Sequence, residues 1–175
     1  MAYPFTPTLE FPLKNYKVNS YHFGEHCAYN GENWGIHLGE DVNRPTGTSV
    51  KCIGRGKVIY SALHPAKDKR GNWGNIVIVA HKNPKNRKPF FSLYAHLDRR
   101  DVVKGEQVSV GQPIGVVGKA NSVENGMWPE AHLHFGIYCG PWKGRVLPGY
   151  HRKGDKRTRL SWWRHPTEFL RQYPS

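Results

Sequence analysis

Residues 131–138 read AHLHFGIY, and the alternation within this stretch decides the fold. Successive side chains of a β-strand point to opposite faces of a sheet. His132 and His134 therefore share one face, and the apolar Leu133 and Phe135 share the other. The stretch predicts a strand whose apolar face covers a core. Its other face would hold two imidazoles side by side, which could share a metal ion or a metal-bound water; the alternative is a pair of solvent-facing histidines on a surface strand.

Strand signals surround this segment along most of the chain. Nineteen Gly and thirteen Pro, together with 13% aromatic residues, are typical of a globule of short strands and many turns. The run NIVIVAH at residues 75–81 is apolar enough to be buried on both faces. The other predicted strands are residues 35–42, 48–53, 56–62, 90–97 and two short strands within 103–118.

The sequence thus predicts one all-β domain with long loops and a short C-terminal helix. The helix opens at Thr167 and Glu168 directly after Pro166, because proline is favoured at the first position of a helix. Residues 1–20 are predicted to form a Pro-rich arm over the edge of the domain. The predicted loops, rich in Gly, Asn or charged residues, are 21–34, 64–72 and 82–88.

The formal net charge of +13 indicates an anionic partner or an anionic substrate surface. Residues 142–171 alone carry nine Lys or Arg against Asp155 and Glu168, a net charge of +7. Nucleic acid, anionic lipid and anionic wall polymers are all compatible with this charge. No recognition-helix pattern or RNA-binding motif accompanies it, which argues against nucleic acid.

Two further features limit the class of protein. No stretch approaches the roughly 18 apolar residues of a membrane span, and the first residues lack a basic segment followed by an apolar run, so no signal peptide is predicted. Cys27, Cys52 and Cys139 form no CxxC pair and no disulfide framework. They are predicted to be buried thiols, with one disulfide as the alternative.

A second metal-binding signal lies at residues 35–41, GIHLGED, where His37 and Asp41 are four apart. Zinc prefers His nitrogen and carboxylate oxygen, and catalytic zinc sites typically have three protein ligands and a fourth position open to water. His37, Asp41 and one histidine of the HLH pair would complete such a set; without a metal, the first two would be a polar pair in a loop. Glu40 is a rival carboxylate, but it should point away from Asp41 on an extended segment. His96 ends an apolar strand, where its side chain can face the same site.

The motifs GIHLGED, SLYAHL and HLHF, in that order, resemble the lysostaphin/LytM-type zinc endopeptidases, which hydrolyse peptide bonds in bacterial peptidoglycan. The resemblance covers residues 35–138. It implies a twisted antiparallel β-sheet with a groove over a single zinc ion. Carried across motif by motif, it makes His37, Asp41 and His134 the zinc ligands.

The resemblance also assigns a catalytic pair, His96 and His132, which flanks the metal. Because the sequence contains no HExxH glutamate, a histidine has to act as the general base. Peptidoglycan is then the expected substrate, and the identity of the cleaved cross-link is left open. A catalytically silent scaffold or wall-binding protein of the same fold is the alternative.

On this interpretation the chain has three parts within one monomeric domain. Residues 1–34 are the arm and a loop at the groove edge, residues 35–141 are the catalytic zinc peptidase core, and residues 142–175 are a basic extension packed on the same domain. The extension would bind anionic wall polymers. The protein would act in the cell wall, the periplasm or the extracellular space.

Overall fold

The chain folds mainly as antiparallel β-sheet, in a computed structural model that describes residues 2–65 and 72–173. The all-β prediction is confirmed. Within these ranges the strands are β1 His26–Tyr29, β2 Glu32–His37, β3 Glu40–Asn43, β4 Ser49–Lys51, β5 Gly56–His64, β6 Gly74–Lys82, β7 Pro89–Arg100, β8 Gln107–Val108, β9 Pro113–Val117, β10 His132–Tyr138, β11 Tyr150–His151 and β12 Trp163–Arg164. A 3₁₀ turn spans Leu160–Trp162, and helix α1 spans Pro166–Arg171.

The main sheet is built around β10, β7, β6 and β5, which lie side by side in that order. Strand β12 extends the sheet beyond β10, and β8 extends it beyond β5. Strand β3 also pairs with β10, and β9 pairs with both β7 and β4. All these pairings are antiparallel, so β10 is held between β3 and β12 on one side and β7 on the other.

Strand β6 is buried along nearly its whole length because hydrophobic clusters cover both faces of the sheet. Val77 and Val79 belong to one cluster, whereas Ile76 and Ile78 belong to the other. Full burial of one such side chain contributes about 1.5–3 kcal/mol. The prediction that residues 75–81 form a strand buried on both faces is confirmed.

The prediction that residues 21–34 form a loop is wrong. Strands β1 and β2 form a hairpin there, and β11 joins β2 to complete a second, three-stranded sheet. Asn30 and Gly31 make the turn with φ of 48° and 77°, and two positive φ values are the signature of a type I′ hairpin turn. The Asn-Gly dipeptide was therefore the signal that identified the hairpin.

Strand boundaries differ from the sequence expectation at two places close to the predicted metal motifs. The predicted strand 35–42 is interrupted at Leu38 and Gly39, which separates β2 from β3. Strand β7 does not end near His96 but continues to Arg100.

The predicted loop 64–72 begins later than expected, since β5 runs through His64. Residues 66–71 of that loop lie outside the described residues. The predicted loop 82–88 is confirmed from Asn83 onward, where the Asn83 amide donates to the carbonyl of Lys88 and closes a tight turn.

The N-terminal arm is part of the core and does not merely cover its edge. Leu9 and Leu13 are buried in the same cluster as the inner face of β6. The Lys51 amide donates to the carbonyl of Pro12, and the Glu10 amide donates to the carbonyl of Ile53. The arm therefore stabilises β4 and the turn that follows it.

The predicted C-terminal helix is present as α1, and it begins at Pro166, one residue before the predicted start at Thr167. It buries Phe169 and Leu170 against the core, and Trp163 just before it lies in the cluster on the other face of the sheet. None of the helices in the described part of the chain is long and apolar enough to traverse a bilayer.

Glu40 joins both ends of the chain to strand β3. Its buried carboxylate accepts hydrogen bonds from the hydroxyl of Tyr16 at 2.7 Å and from the hydroxyl of Thr167 at 2.8 Å. The Thr167 amide donates to the other carboxylate oxygen at 3.2 Å. Nδ1 of His165 lies 2.9 Å from that oxygen, outside hydrogen-bond geometry.

We predict that His81 makes the stability of the fold depend on pH. This histidine is fully buried; Nδ1 donates to the carbonyl of Arg55 at 2.8 Å and Nε2 accepts from the hydroxyl of Ser92 at 2.7 Å. Burial lowers the pKa of His81 from 6.5 to about 4. The unfolded chain therefore binds more protons between these values, so stability is full above pH 6.5 and falls as the pH decreases toward 4. The loss amounts to about 3 kcal/mol.

Urea unfolding of the wild type and of His81→Gln at pH 7 and pH 4.5 measures this contribution. The glutamine amide can still donate to the Arg55 carbonyl but does not titrate, so the variant should lose less stability between the two pH values. Identical losses in both proteins would show that His81 does not contribute.

Candidate metal centre

Three side chains from three strands converge at one point beside the main sheet. His37 ends β2, Asp41 lies in β3 and His134 lies in β10, where the strand register places it directly opposite Asp41. Nδ1 of His134 is 2.9 Å from Oδ1 of Asp41 and 3.1 Å from Nε2 of His37. Nε2 of His37 is 3.4 Å from the same Oδ1. All three residues are buried.

The donor set and its spacing fit a zinc ion. Zinc binds His nitrogen and carboxylate oxygen at about 2.0–2.2 Å in a tetrahedron, which places neighbouring ligand atoms about 3.3–3.6 Å apart. The three ligand atoms observed here are 2.9–3.4 Å apart, which is close to this ligand-to-ligand distance. Among the described residues, these three form the one group whose ligand atoms all lie within 4.8 Å of one another.

The ring of His37 is oriented by a main-chain contact. Its Nδ1 donates to the carbonyl of His22 at 3.1 Å, so the lone pair of Nε2 faces His134 and Asp41. A hydrogen bond to the second nitrogen is the usual means by which a ligand histidine is held in one tautomer. No sequence pattern indicates this contact, because it uses the backbone of His22 and not its imidazole.

The charges of the cluster favour an ionised aspartate. Burial opposes ionisation of Asp41, but His37 and His134 outweigh it and hold the pKa of Asp41 well below its usual range. Burial also opposes protonation of His37, yet Asp41 raises the pKa of that ring. For His134, burial dominates and lowers the pKa. A buried carboxylate between two imidazoles is an arrangement suited to a divalent cation.

Two further histidines lie beside the cluster, and a main-chain carbonyl holds each ring. The ring centroids of His96 and His132 are 4.5 Å apart. Nδ1 of His96 donates to the carbonyl of Asn125 at 2.9 Å, and Nδ1 of His132 donates to the carbonyl of Glu130 at 3.0 Å. Nε2 of each ring therefore carries the lone pair, and Nε2 of His132 lies 4.0 Å from Oδ2 of Asp41.

A β-bulge aims His96 at the site. Ala95 pairs with Ile76 and Leu97 pairs with Asn75, so His96 is an extra residue within β7. Its φ is +65°, a left-handed conformation that is uncommon outside glycine and is often found at functional sites. Burial, reinforced by the neighbouring His132, lowers the pKa of His96 well below 6.5, so its ring is neutral at pH 7.

Asn125 organises the loop that orients both of these histidines. Its side-chain amide donates to the carbonyl of Glu130 at 2.9 Å, the same carbonyl that accepts from His132. Its own carbonyl accepts from His96, and its Oδ1 accepts from the Trp128 amide at 2.7 Å. Sequence reasoning missed Asn125, since nothing in a polar loop predicts which backbone groups will face a site.

The five histidine and aspartate residues line an open groove of about 450 Å³ or lie directly beneath it. Trp34 from β2, Trp128 from the loop before β10 and Tyr150 from β11 form its aromatic walls, and Trp73 packs edge-on against His134. The sequence analysis overlooked Trp34 and Trp128. Their ring centroids are 5.3 Å apart although 94 positions separate them in the chain, so no local pattern relates them.

Residues 35–146 match the family model described as peptidase family M23. This match covers more than half of the chain and includes all five of these residues. The chain belongs to peptidase family M23.

Curated relatives of this M23 protein include enzymes of the bacterial wall. The peptidoglycan DD-endopeptidase ShyA of Vibrio cholerae is 34% identical over 99 residues, which cover 57% of this chain and 19% of ShyA. Lysostaphin of Staphylococcus staphylolyticus is 32% identical over 123 residues, which cover 70% of this chain and 22% of lysostaphin. The match thus spans about a fifth of the length of these relatives.

Solved structures confirm the lysostaphin-like fold of the M23 protein. It is similar to lysostaphin from Staphylococcus simulans with a TM-score of 0.62 and 25% identity, covering 96% of this chain and 55% of that one. It is also similar to a zinc containing peptidase from Vibrio cholerae with a TM-score of 0.59 and 27% identity, covering 75% and 37% of the two chains.

We predict that Gly39→Ala disturbs the cluster through His134. A Cβ atom at Gly39 would lie 2.6 Å from Nε2 of His134 and 2.7 Å from the carbonyl oxygen of Phe135. The strand backbone cannot yield easily, so the substitution should cost about 1–3 kcal/mol of unfolding free energy. At Gly136 the nearest atoms would be 3.2 Å and 3.3 Å away, so Gly136→Ala is a milder control. Urea unfolding compares the two; equal stabilities would refute the close approach.

Proposed function

We propose that this M23 protein is a zinc-dependent endopeptidase that hydrolyses peptide bonds in bacterial peptidoglycan, with one zinc ion per chain. The observation that carries the proposal is a single constellation: three zinc-type donor atoms 2.9–3.4 Å apart, with two oriented imidazoles beside them on an open groove. The names of the curated relatives support the choice of substrate.

Nε2 of His37, Oδ1 of Asp41 and Nδ1 of His134 would hold the zinc. When bound, zinc polarises a peptide carbonyl and lowers the pKa of a water toward about 7. Asp41 contributes the negative charge of the site, and its low pKa keeps that charge in place throughout the neutral range. The carbonyl of His22 prevents the ring of His37 from turning away.

His96 and His132 would move the protons. Nε2 of each ring is free of the backbone contact that fixes Nδ1, so it can accept the proton of an attacking water and later donate a proton to the leaving amine. The lowered pKa of His96 keeps that ring neutral and ready to accept. Protonated, either ring can also stabilise the oxyanion of the tetrahedral intermediate.

The basic extension would raise the local concentration of substrate. Residues 142–171 carry a net charge of +7, which attracts polyanionic wall polymers. At physiological ionic strength the Debye length is about 8–10 Å, so this attraction acts on polymers close to the surface. The protein would therefore act as a monomer in the cell wall, the periplasm or the extracellular space.

We predict different outcomes for the two groups of residues. His134→Ala and Asp41→Ala should lose zinc and activity together, because each removes one of three ligands. His96→Ala and His132→Ala should keep one zinc per chain and lose about 10²–10⁴-fold in turnover, the usual contribution of a general acid or base. Zinc content by mass spectrometry and cleavage of a wall peptide measure both properties.

His26→Ala is the matched control for this series. His26 is exposed in β1 and lies outside the groove, so its loss should change neither zinc content nor turnover. Full activity of His96→Ala or His132→Ala would overturn the assignment of the catalytic pair.

Digestion of purified sacculi tests the activity itself. We expect the protein to release peptides with new amino and carboxyl termini from at least one wall type, with release abolished by a chelator and restored by zinc. Mass spectrometry of the released muropeptides identifies the bond that is cleaved. A zinc-loaded protein that is inert on every wall type would instead be a silent scaffold of this fold.

A further inference from the structure

A second cavity adjoins the groove that contains the metal cluster. This cavity has a volume of about 460 Å³ and shares Pro148 and Arg157 with the wall of the groove. It lies within the C-terminal extension, where Lys143 and Arg145 line it together with Tyr138. A substrate that occupies the groove can therefore extend along the extension without leaving the surface of the protein.

The walls of the two adjoining cavities carry an excess of positive charge. Arg152 and Arg157 line the groove, and Lys143 and Arg145 line the second cavity. Three acidic residues lie nearby, of which Asp41 belongs to the metal cluster. Glu32 is at the rim of the groove. Asp155 binds Arg157 at 2.6 Å.

The cations differ in how far they are already engaged. Nε of Arg152 donates to the carbonyl of Trp34 at 3.1 Å, which fixes the guanidinium at the groove wall and leaves its other N–H groups available. In the part of the chain that the structure describes, the side chains of Lys143 and Arg145 form no ion pair with an acidic residue. Guanidinium groups bind carboxylates through two parallel hydrogen bonds. An amide in place of the carboxylate has only one acceptor oxygen and cannot accept both bonds.

We infer that Lys143, Arg145 and Arg152 form a carboxylate-binding subsite beside the groove, whereas Arg157 is already paired with Asp155. The substrate class is thereby narrowed to wall peptides with free carboxylates close to the scissile bond, in preference to peptides that are uncharged there. This inference rests on the proposed function, because it names the substrate of the same groove. A bound carboxylate would also hold the peptide in register over the metal cluster.

Two peptides test the subsite. They share one wall-derived sequence and differ only in that the carboxylates next to the cleaved bond are free in the first and amidated in the second. We expect kcat/KM of the wild type to be about threefold to fivefold higher for the free acid, because an ion pair with exposed cations is weakened by solvent screening. In Arg145→Gln/Arg152→Gln the ratio should approach one.

Lys153→Gln/Lys156→Gln is the matched control. Both lysines are exposed in the same segment and line neither cavity, so the double variant loses the same charge. It should retain the preference for the free acid. An equal fall in the ratio for both double variants would show that only the general charge of the extension matters, and would overturn the subsite.

A binding measurement separates failure of the subsite from failure of the proposed function. The dissociation constants of both peptides are measured calorimetrically for the full chain in the presence of a chelator, so that no cleavage occurs. Tighter binding of the free acid, lost in Arg145→Gln/Arg152→Gln, supports the subsite even if turnover is absent. Equal binding of the two peptides by the wild type overturns it, whereas cleavage of neither peptide and of no sacculus overturns the peptidase.

Discussion

The antiparallel register between β3 and β10 is the constraint on which the rest of the site depends. It places His134 opposite Asp41, and the same strand then holds His132 on the same face two residues earlier. A shift by one residue would turn both imidazoles into the core and bring Leu133 to the groove. The register is secured because Leu133 and Phe135 are fully buried on the opposite face.

Main-chain carbonyl groups orient three of the four histidines in the same way. His37, His96 and His132 each donate from Nδ1 to a carbonyl, and each presents Nε2 to the site. The carbonyls come from loops, but those loops are themselves fixed by side chains such as Asn125. The rigid sheet therefore sets the positions of the rings, and the loops set their rotation and tautomer.

The sequence predicts the sheet and the clustering of the histidines because both follow from short patterns, a period of two and fixed spacings. It does not predict the bulge at His96, since a bulge is defined by the pairing partner and not by the strand that carries it. Trp34 and Trp128 were missed for a similar reason: their contact joins a strand and a loop that are far apart in the chain. The hairpin at Asn30 was predictable, and was missed because the polar composition of residues 21–34 outweighed its turn signal.

The hydrogen bonds between Glu40 and Thr167 link positions 127 residues apart. They therefore affect the order of folding during synthesis as well as the stability of the folded protein. A growing polypeptide that has reached only Tyr150 already contains every histidine and aspartate of the cluster. It still lacks helix α1, whose Thr167 binds Glu40 next to the ligand Asp41. Contacts of such long separation form late and slowly during folding. The metal cluster would then reach its final support only after Thr167 has been synthesised and has folded back onto β3.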